Sequence, residues 1–342
     1  MSGRHVGVLS ANDPLHRFLA EKVLGEALAE NGGGEAVFDV YQLDGSGTVF
    51  HYADRRNSVG VVGKFYGSKW LHGRQSGEHD LRASLMRREF ENLRTARALG
   101  FTGPPHRVVR PFSVSEKLNC VLLEEYAPGD DLHFAIEQAI FHGQRERLRA
   151  QLAEVAWFLA DLHNQSPQGF QVDRLRPLRY LDKMIMELAF WDIIPTEEER
   201  RLIRLRDQWA WEGALDGVDA VLIHGDATPT NFVFREDNDL TAIDLERLHP
   251  SDRAADLGRV AAELKHLFWL YTQDRWASEP YIRHFYGSYV PHMHAVTDTE
   301  ATLTNRGRFY MGCDLLRISR NHWLDLGYRR LLVWEAQECL TI

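Results

Sequence analysis

The sequence predicts an α+β fold with two lobes, a small β-rich lobe at the N-terminus and a larger, mainly helical lobe after it. Three observations support this prediction. The chain has 342 residues, enough for about two domains. Residues 36–66 and 107–126 contain short runs rich in β-branched and aromatic residues, which are typical of strands. After Pro128 and Gly129, hydrophobic residues recur at helical spacing.

The predicted lobes meet near residue 126. Residues 1–126 form the N-terminal lobe, with one long helix expected at residues 81–99. The first 35 residues are predicted to be a leading helical segment, because residues 14–29 place hydrophobic side chains at helical spacing. Residues 127–342 form the larger lobe, where the acceptor of any reaction is expected to bind.

Composition limits the classes of function. The sequence has no run of about 18 apolar residues, so no membrane-spanning helix is expected. The first residues lack the apolar core of a secretory signal, and the three cysteines lie far apart, which together favour a reducing cytoplasm. The net charge of −9 argues against general binding to nucleic acid.

The negative charge is unevenly distributed. Residues 1–126 hold 16 Lys and Arg against 15 Asp and Glu, whereas the remainder holds 24 against 34. An acidic large lobe favours a cationic substrate, because a cleft lined by one sign of charge concentrates ligands of the other sign. A solvated acidic surface explains the same counts equally well.

One segment carries residues suited to phosphoryl transfer. Apolar runs flank a polar loop that contains His224, Asp226 and Asn231, and the next β-prone run ends with Asp244. Phosphoryl transfer needs a carboxylate that accepts or orients the proton of the acceptor hydroxyl, and it needs hard oxygen ligands that hold Mg²⁺. A carboxylate and an amide five residues apart on one loop, followed by a carboxylate on the next strand, meet these needs.

These residues resemble the aminoglycoside phosphotransferase and choline kinase family, a small-molecule branch of the protein-kinase-like fold. The family's loop reads H-G-D-x-x-x-x-N, which His224, Asp226 and Asn231 match. Its next strand carries an Ile-Asp pair followed two residues later by Glu, matched here by residues 243–246. The resemblance implies that Asp226 is the catalytic base and that Asn231 and Asp244 bind Mg²⁺.

Two residues are expected to support this loop. A D-L-x-R element of the family is matched by residues 256–259, which implies that Asp256 braces the catalytic loop. His224 is interpreted as a structural residue that hydrogen-bonds the backbone near the metal-binding carboxylate. Glu246 has two readings that the sequence leaves open, since it either orients groups near the metal or faces elsewhere.

The resemblance extends upstream to elements that bind a nucleotide, ATP or GTP. Residues 61–65 resemble the strand with the phosphate-binding lysine, which assigns Lys64. Glu89 resembles the helix glutamate that pairs with this lysine, and Glu91 is a second candidate. Two further segments complete the expected nucleotide site: a turn that covers the nucleotide, with Gly45, Ser46 and Gly47, and a hinge that meets the adenine, with Glu124, Glu125 and Tyr126.

The expected activity is Mg²⁺-dependent transfer of the γ-phosphate of ATP or GTP to a hydroxyl of a small molecule, such as an aminoglycoside, an amino alcohol or a sugar. Gly225 and Thr228 stand where protein kinases usually carry Arg and Lys, and no A-P-E segment follows, which favours the small-molecule branch. The alternatives are a non-catalytic nucleotide-binding scaffold of the same fold and a kinase that acts on a protein. The sequence leaves the oligomeric state open.

Overall fold

The computed structural model describes residues 3–24, 36–43, 48–56, 59–67, 76–236, 238–294 and 298–342. The chain divides into two compact units. Unit 1 consists of residues 1–130 and 233–246, and unit 2 consists of residues 131–232 and 247–342. This division differs from the predicted boundary near residue 126, because residues 233–246 leave the predicted second lobe and join unit 1.

Unit 1 contains an antiparallel sheet with the strand order β1-β2-β3-β4-β7-β6. Its strands are β1 (Gly3–Val8), β2 (Phe38–Leu43), β3 (Val49–Asp54), β4 (Gly60–Phe65), β6 (Pro111–Ser115) and β7 (Val121–Glu125). Side chains that alternate along these strands form a hydrophobic core, which includes Phe38, Val61, Val121 and Leu123. One face of β4 and β7, which are paired in this sheet, carries the polar residues described below.

The first 35 residues were predicted to be a helical segment, and the structure differs from this prediction. Gly3–Val8 is a strand that pairs with β2, and only Pro14–Leu19 forms an α-helix, α1, before a π-helical turn at Ala20–Leu24. Helix α1 begins at Pro14 because the Asp13 side chain accepts a hydrogen bond from the backbone N–H of Leu15. Residues 25–35 lie outside the described residues. A mostly exposed strand such as β1 leaves no hydrophobic alternation to predict it from sequence.

A second group of strands explains why residues 233–246 belong to unit 1. Strand β12 (Leu240–Ala242) pairs in parallel with β5 (His106–Val108), and β11 (Phe232–Phe234) lies next to β12. The long helix of this unit, α2 (Ser76–Ala98), runs before β5 and buries one face. That face carries Ala83, Met86, Glu89, Leu93 and Ala96.

Unit 2 is mainly helical, as the sequence predicts. Its helices are α3 (Leu132–His142), α4 (Arg145–Asn164), α5 (Leu175–Phe190), α6 (Thr196–Glu212), α7 (Ala254–Thr272), α8 (Glu279–Tyr289), α9 (Glu300–Ser319) and α10 (Leu326–Leu340). Short strands accompany them: β9 (Pro167–Gln171), β10 (Asp219–Ile223) and β13 (His249–Ser251). Strand β8 (Asp130–Asp131) lies next to β11 instead. Strand β10 lies between β9 and β13. In the part of the chain that is described, none of the helices is long and apolar enough to cross a bilayer.

Helices α7 and α9 pack against each other at unusually short range. A Cβ atom added to Gly258 on α7 would lie 2.5 Å from Cβ of Tyr310 and 2.7 Å from the backbone nitrogen of Met311, both on α9. Because real Cβ atoms do not approach other atoms so closely, glycine at this position sets the distance between the two helices. This contact determines how side chains on α7 and α9 meet.

Candidate active site

The predicted site residues fall into two groups, one in each unit. In unit 1, Lys64 lies among three carboxylates. Its Nζ is 2.6 Å from Oε1 of Glu89 on α2, 3.1 Å from Oε1 of Glu124 on β7 and 3.5 Å from Oδ1 of Asp244. Val62 pairs directly with Glu124, so Lys64 and Glu124 are diagonal neighbours on one face of the sheet.

Burial and charge act together on this group. Glu89 and Glu124 are almost fully buried, whereas Asp244 is partly exposed. Burial raises the pKa of both the Glu89 and the Glu124 carboxyl groups, and the Lys64 ammonium opposes that rise. Burial alone would lower the pKa of Lys64, but the surrounding carboxylates hold it well above its ordinary range. One ammonium faces three acidic groups, so the cluster favours an additional cation.

Residues of helix α2 form hydrogen bonds on two sides of this cluster. The hydroxyl of Tyr66 donates a hydrogen bond to Oε2 of Glu89. One turn along the same helix, Nδ2 of Asn92 donates to the backbone oxygen of Leu245 at 2.8 Å, immediately after Asp244. The backbone of Asp244 has φ of +60°, a conformation uncommon for residues other than glycine and often found at functional sites.

The predicted metal ligands do not lie in one unit. Asp244 groups with Glu89 and Glu246, whose ligand oxygens all lie within 4.8 Å of one another, and this all-oxygen set fits the ligands that Mg²⁺ prefers. Asn231 is in unit 2, where its Nδ2 donates to the backbone oxygen of Asp226 at 2.8 Å. The interpretation of Glu246 as a residue that orients groups near the metal stays a prediction.

In unit 2, the loop with Asp226 connects β10 to the 3₁₀ turn Pro229–Asn231. Gly225 has φ of +76°, and a Cβ atom there would lie 2.2 Å from the backbone oxygen of Arg247. Only glycine fits this turn without a clash. The turn therefore fixes the direction in which the next residue, Asp226, leaves the backbone.

Asp256, at the start of α7, binds the backbone of this loop. Its Oδ2 accepts from the N–H of His224 at 2.7 Å, and its Oδ1 accepts from the N–H of Gly225 at 2.9 Å. Burial would raise the pKa of Asp256, but the hydrogen bond and charge of His163, followed by smaller contributions from His224 and Gly225, lower it below its usual value. The carboxylate therefore stays ionised, which is the state that a brace for two backbone donors requires.

A histidine completes the support behind Asp256. Nε2 of His163, on α4, lies 3.2 Å from Oδ2 of Asp256, and its Nδ1 lies 2.8 Å from the hydroxyl of Tyr289 on α8. The side chain of His224 makes a longer contact within the loop, because its Nδ1 accepts from the backbone N–H of Asp226 at 3.4 Å. These contacts match the backbone-supporting geometry predicted for His224 and Asp256, and their roles remain predictions.

Two arginines lie close to the Asp226 carboxylate, and neither was predicted from the sequence to have a role. Nη1 of Arg259 donates to Oδ1 of Asp226 at 2.6 Å, and Nη1 of Arg247 lies 3.8 Å from Oδ2. Arg259 was noted only as the last residue of the D-L-x-R element. Its spacing of three residues from Asp256 was a usable signal, because residues three apart share one face of a helix and so point toward the same loop.

The predicted hinge residues behave differently from one another. The side chain of Glu124 binds Lys64, as described above. The backbone N–H of Glu125 donates to the oxygen of Arg110 at 2.8 Å, and that of Tyr126 donates to the oxygen of Gly60 at 3.0 Å. The ring of Tyr126 stacks on His51 at 3.8 Å between centroids. Gly45, Ser46 and Gly47 lie outside the described residues.

The chain is similar to known phosphotransferases in sequence pattern and in fold. A model of the phosphotransferase enzyme family matches residues 74–331, more than half of the chain. A structure of the aminoglycoside phosphotransferase APH(2″)-IIa with streptomycin and ATP aligns at 12% identity over 98% of this chain and 100% of that chain, with a TM-score of 0.56. The comparison with curated proteins found no match.

Two other solved structures align over most of their length. The ethanolamine kinase of Plasmodium vivax aligns at 13% identity over 96% of this chain and 88% of that chain, with a TM-score of 0.55. A glucosamine kinase aligns at 14% identity over 90% of each chain, with a TM-score of 0.53. At such identities the likeness shows a shared fold, and it confirms the predicted protein-kinase-like α+β fold with a β-rich and a helical part.

Proposed function

This chain belongs to the phosphotransferase enzyme family, and we propose that it transfers the γ-phosphoryl group of ATP or GTP to a hydroxyl group of a small molecule in a Mg²⁺-dependent reaction. The observation that carries the proposal is the contact of Lys64 with both Glu89 and Asp244. A lysine held by a helix glutamate beside a carboxylate suited to Mg²⁺ is an arrangement that binds nucleotide phosphates. The proposal includes a cytoplasmic location.

The residues of unit 1 handle the nucleotide phosphates in this proposal. Lys64 supplies a positive charge to the phosphate oxygens, and Glu89 holds its ammonium in place. Asp244, with Glu246 beside it, offers oxygen ligands to Mg²⁺. When bound, Mg²⁺ neutralises charge that develops on the transferred phosphoryl group.

The residues of unit 2 handle the acceptor in this proposal. Asp226 accepts or orients the proton of the attacking hydroxyl. Its Oδ1 is held by Arg259, so Oδ2 is the oxygen that faces the hydroxyl. Asp256 fixes the backbone that carries Asp226, which matters because positioning supplies much of the rate in phosphoryl transfer.

The acceptor is proposed to be an amine-bearing alcohol. Three solved structures that align with this chain name streptomycin, ethanolamine or glucosamine, and each of these compounds carries hydroxyl and basic nitrogen groups. Residues 127–342 also carry the acidic excess of the chain, 34 Asp and Glu against 24 Lys and Arg, which favours a cationic ligand. Amino alcohols, amino sugars and aminoglycosides are therefore the first acceptors to assay.

Replacement of the proposed base tests this function. We expect Asp226→Asn to lower kcat by about 10²–10⁴-fold, because an amide cannot accept the hydroxyl proton. Nucleotide binding, measured by calorimetry with MgATP and MgGTP, should stay within about twofold, because Lys64 and its partners are unchanged. Turnover is measured as ADP or GDP release with each acceptor of the panel.

The control is Asp219→Asn, an exposed aspartate at the start of β10. It should retain full turnover. Equal turnover by Asp226→Asn and the unsubstituted protein would refute Asp226 as base. Nucleotide binding without transfer to any hydroxyl acceptor would favour the scaffold, and labelled phosphate on lysate proteins alone would favour a protein substrate.

A further inference from the structure

A row of alternating charges begins at Asp226 and continues between helices α7 and α9. Arg259 contacts Oδ1 of Asp226 through Nη1 at 2.6 Å, and its Nη2 lies 3.1 Å from Oδ1 of Asp314. Nε of Arg317 donates to the same oxygen of Asp314 at 2.8 Å. Nη2 of Arg317 then donates to Oε1 of Glu263 at 2.5 Å. We call these five residues the charge row.

The spacing of the residues explains how the charge row forms. Arg259 and Glu263 are four residues apart on α7, and Asp314 and Arg317 are three apart on α9, so each pair lies on one face of its helix. The close packing of the helices at Gly258 brings these two faces together. The position of Arg259 is thus determined by the helix contact beside it.

Burial makes the charge row rigid. The side chain of Arg259 is 11% exposed and that of Asp314 is 5% exposed. A buried charge is stable only when it is paired, and each inner member of the row is paired on both sides. A guanidinium can contact two carboxylates through separate N–H groups of one planar fork, which a lysine ammonium does with far less fixed geometry.

We propose that Arg259 is a positioning residue for Asp226, which holds Oδ1 so that Oδ2 is presented to the acceptor hydroxyl. The inference rests on the proposed function, because it assumes that Asp226 orients a hydroxyl. Arg247 does not perform this task, since its side chain is half exposed and its Nη1 lies 3.8 Å from Asp226. Arg259 therefore fixes the side chain of Asp226, while Asp256 fixes the backbone of the two residues before it.

Two substitutions separate positioning from general support of the fold. For Arg259→Gln we expect kcat to fall roughly 100-fold, the scale of a misplaced catalytic group, with the nucleotide KM within about twofold. For Asp314→Asn we expect a smaller fall in kcat, because Arg259 loses its partner on α9 but keeps its hydrogen bond to Asp226.

Further variants show whether a loss of activity comes from misfolding. Arg259→Lys keeps the charge and should recover part of kcat, because an ammonium can still contact Oδ1 of Asp226 but with less fixed geometry. Arg204→Gln, an exposed arginine on α6, is the matched control and should behave as the unsubstituted protein. Thermal unfolding of every variant is measured in parallel.

The outcomes separate this inference from the proposed function. If Asp226→Asn is inactive while Arg259→Gln keeps the original kcat, Arg259 is not a positioning residue. If Asp314→Asn lowers kcat as much as Arg259→Gln does, or if Arg259→Lys recovers nothing, the residues support only the fold and the inference is wrong. If Asp226→Asn is fully active, the proposed function itself fails.

Discussion

At the scale of single residues, two backbone positions in the left-handed region lie next to the proposed chemistry. Gly225 has φ of +76° and precedes the proposed base, while Asp244, a proposed metal ligand, has φ of +60°. A left-handed conformation costs a residue with a side chain about 1–2 kcal/mol, so it persists only where surrounding contacts enforce it. At Gly225 the enforcing contacts are Asp256 and the backbone of Arg247.

Gly225→Ala should therefore be more damaging than its size suggests. We expect the free energy of unfolding to fall by at least about 1–2 kcal/mol, from backbone strain alone, and more from the clash with the oxygen of Arg247. Turnover should also fall, because the turn sets the direction of Asp226. Urea unfolding and kcat measure the two effects.

Gly143→Ala is the matched control for Gly225→Ala. Gly143 has φ of +69°, but an added Cβ atom meets nothing within 4 Å. This variant should show the strain without the clash and should keep full turnover. If Gly225→Ala loses no more stability and turnover than Gly143→Ala, the clash with Arg247 affects neither of them.

The sequence predicted some site residues because their identity and order are informative. Lys64, Glu89 and Asp226 stand in a recognisable order along the chain, and the structure pairs Lys64 with Glu89. The side-chain contacts of Glu124 and Arg259 could not be predicted in this way. They depend on which strand lies beside β4 and on how closely α7 and α9 pack, and both are long-range properties that a local pattern does not contain.

At the scale of elements, the contact of α7 with α9 links packing to the charge row. Gly258→Ala places a methyl group 2.5 Å from Cβ of Tyr310, so the helices must separate. We expect a loss of about 1–3 kcal/mol in the free energy of unfolding, the usual cost of overpacking. Because Arg259 follows directly in the chain, kcat should fall as well.

Gly287→Ala provides the comparison for Gly258→Ala. Gly287 is inside α8, and an added Cβ atom there has no neighbour within 4 Å. Alanine favours a helix over glycine by about 1 kcal/mol, so this variant should be as stable as the original protein or more stable. Chemical unfolding and kcat of both variants are measured together, and equal effects of the two substitutions would contradict the role of the close contact.

The leading segment shows what limits prediction at this scale. Hydrophobic spacing over residues 14–29 predicted a helix, and Pro14–Leu19 is one. The strand Gly3–Val8 before it has a mostly exposed surface and is held by backbone pairing with β2. Backbone hydrogen bonds are independent of side-chain identity, so no residue pattern in this strand reveals them.

At the scale of the whole molecule, stability should depend on pH through buried histidines. Burial, together with a smaller effect of Arg317, lowers the pKa of His266 to about 4. The unfolded chain, in which a histidine has a pKa of about 6.5, then binds the proton more readily than the folded protein. Stability is therefore unaffected by this group above pH 6.5 and is lost as the pH falls from 6.5 toward 4.

We expect the free energy of unfolding to be about 1 kcal/mol lower at pH 5.5 than at pH 7.5 because of His266. The measurement compares urea unfolding at the two pH values for the unsubstituted protein and for His266→Gln, which removes the titrating group. The difference between pH values should shrink by that amount in the variant. His322→Gln, at an exposed position, is the control, and an equal change in both variants would contradict the prediction.

The pairing of β12 with β5 also constrains how the protein can be divided or recombined. Unit 1 is not a single stretch of chain, because residues 233–246 complete it after unit 2 has begun. A fragment that stops at residue 130 would leave an unpaired strand edge at β5, the type of edge that promotes aggregation. Exchange of this unit between relatives by one crossover would produce a chimera with mismatched strands. Residues 1–130 and 233–246 must therefore be exchanged together.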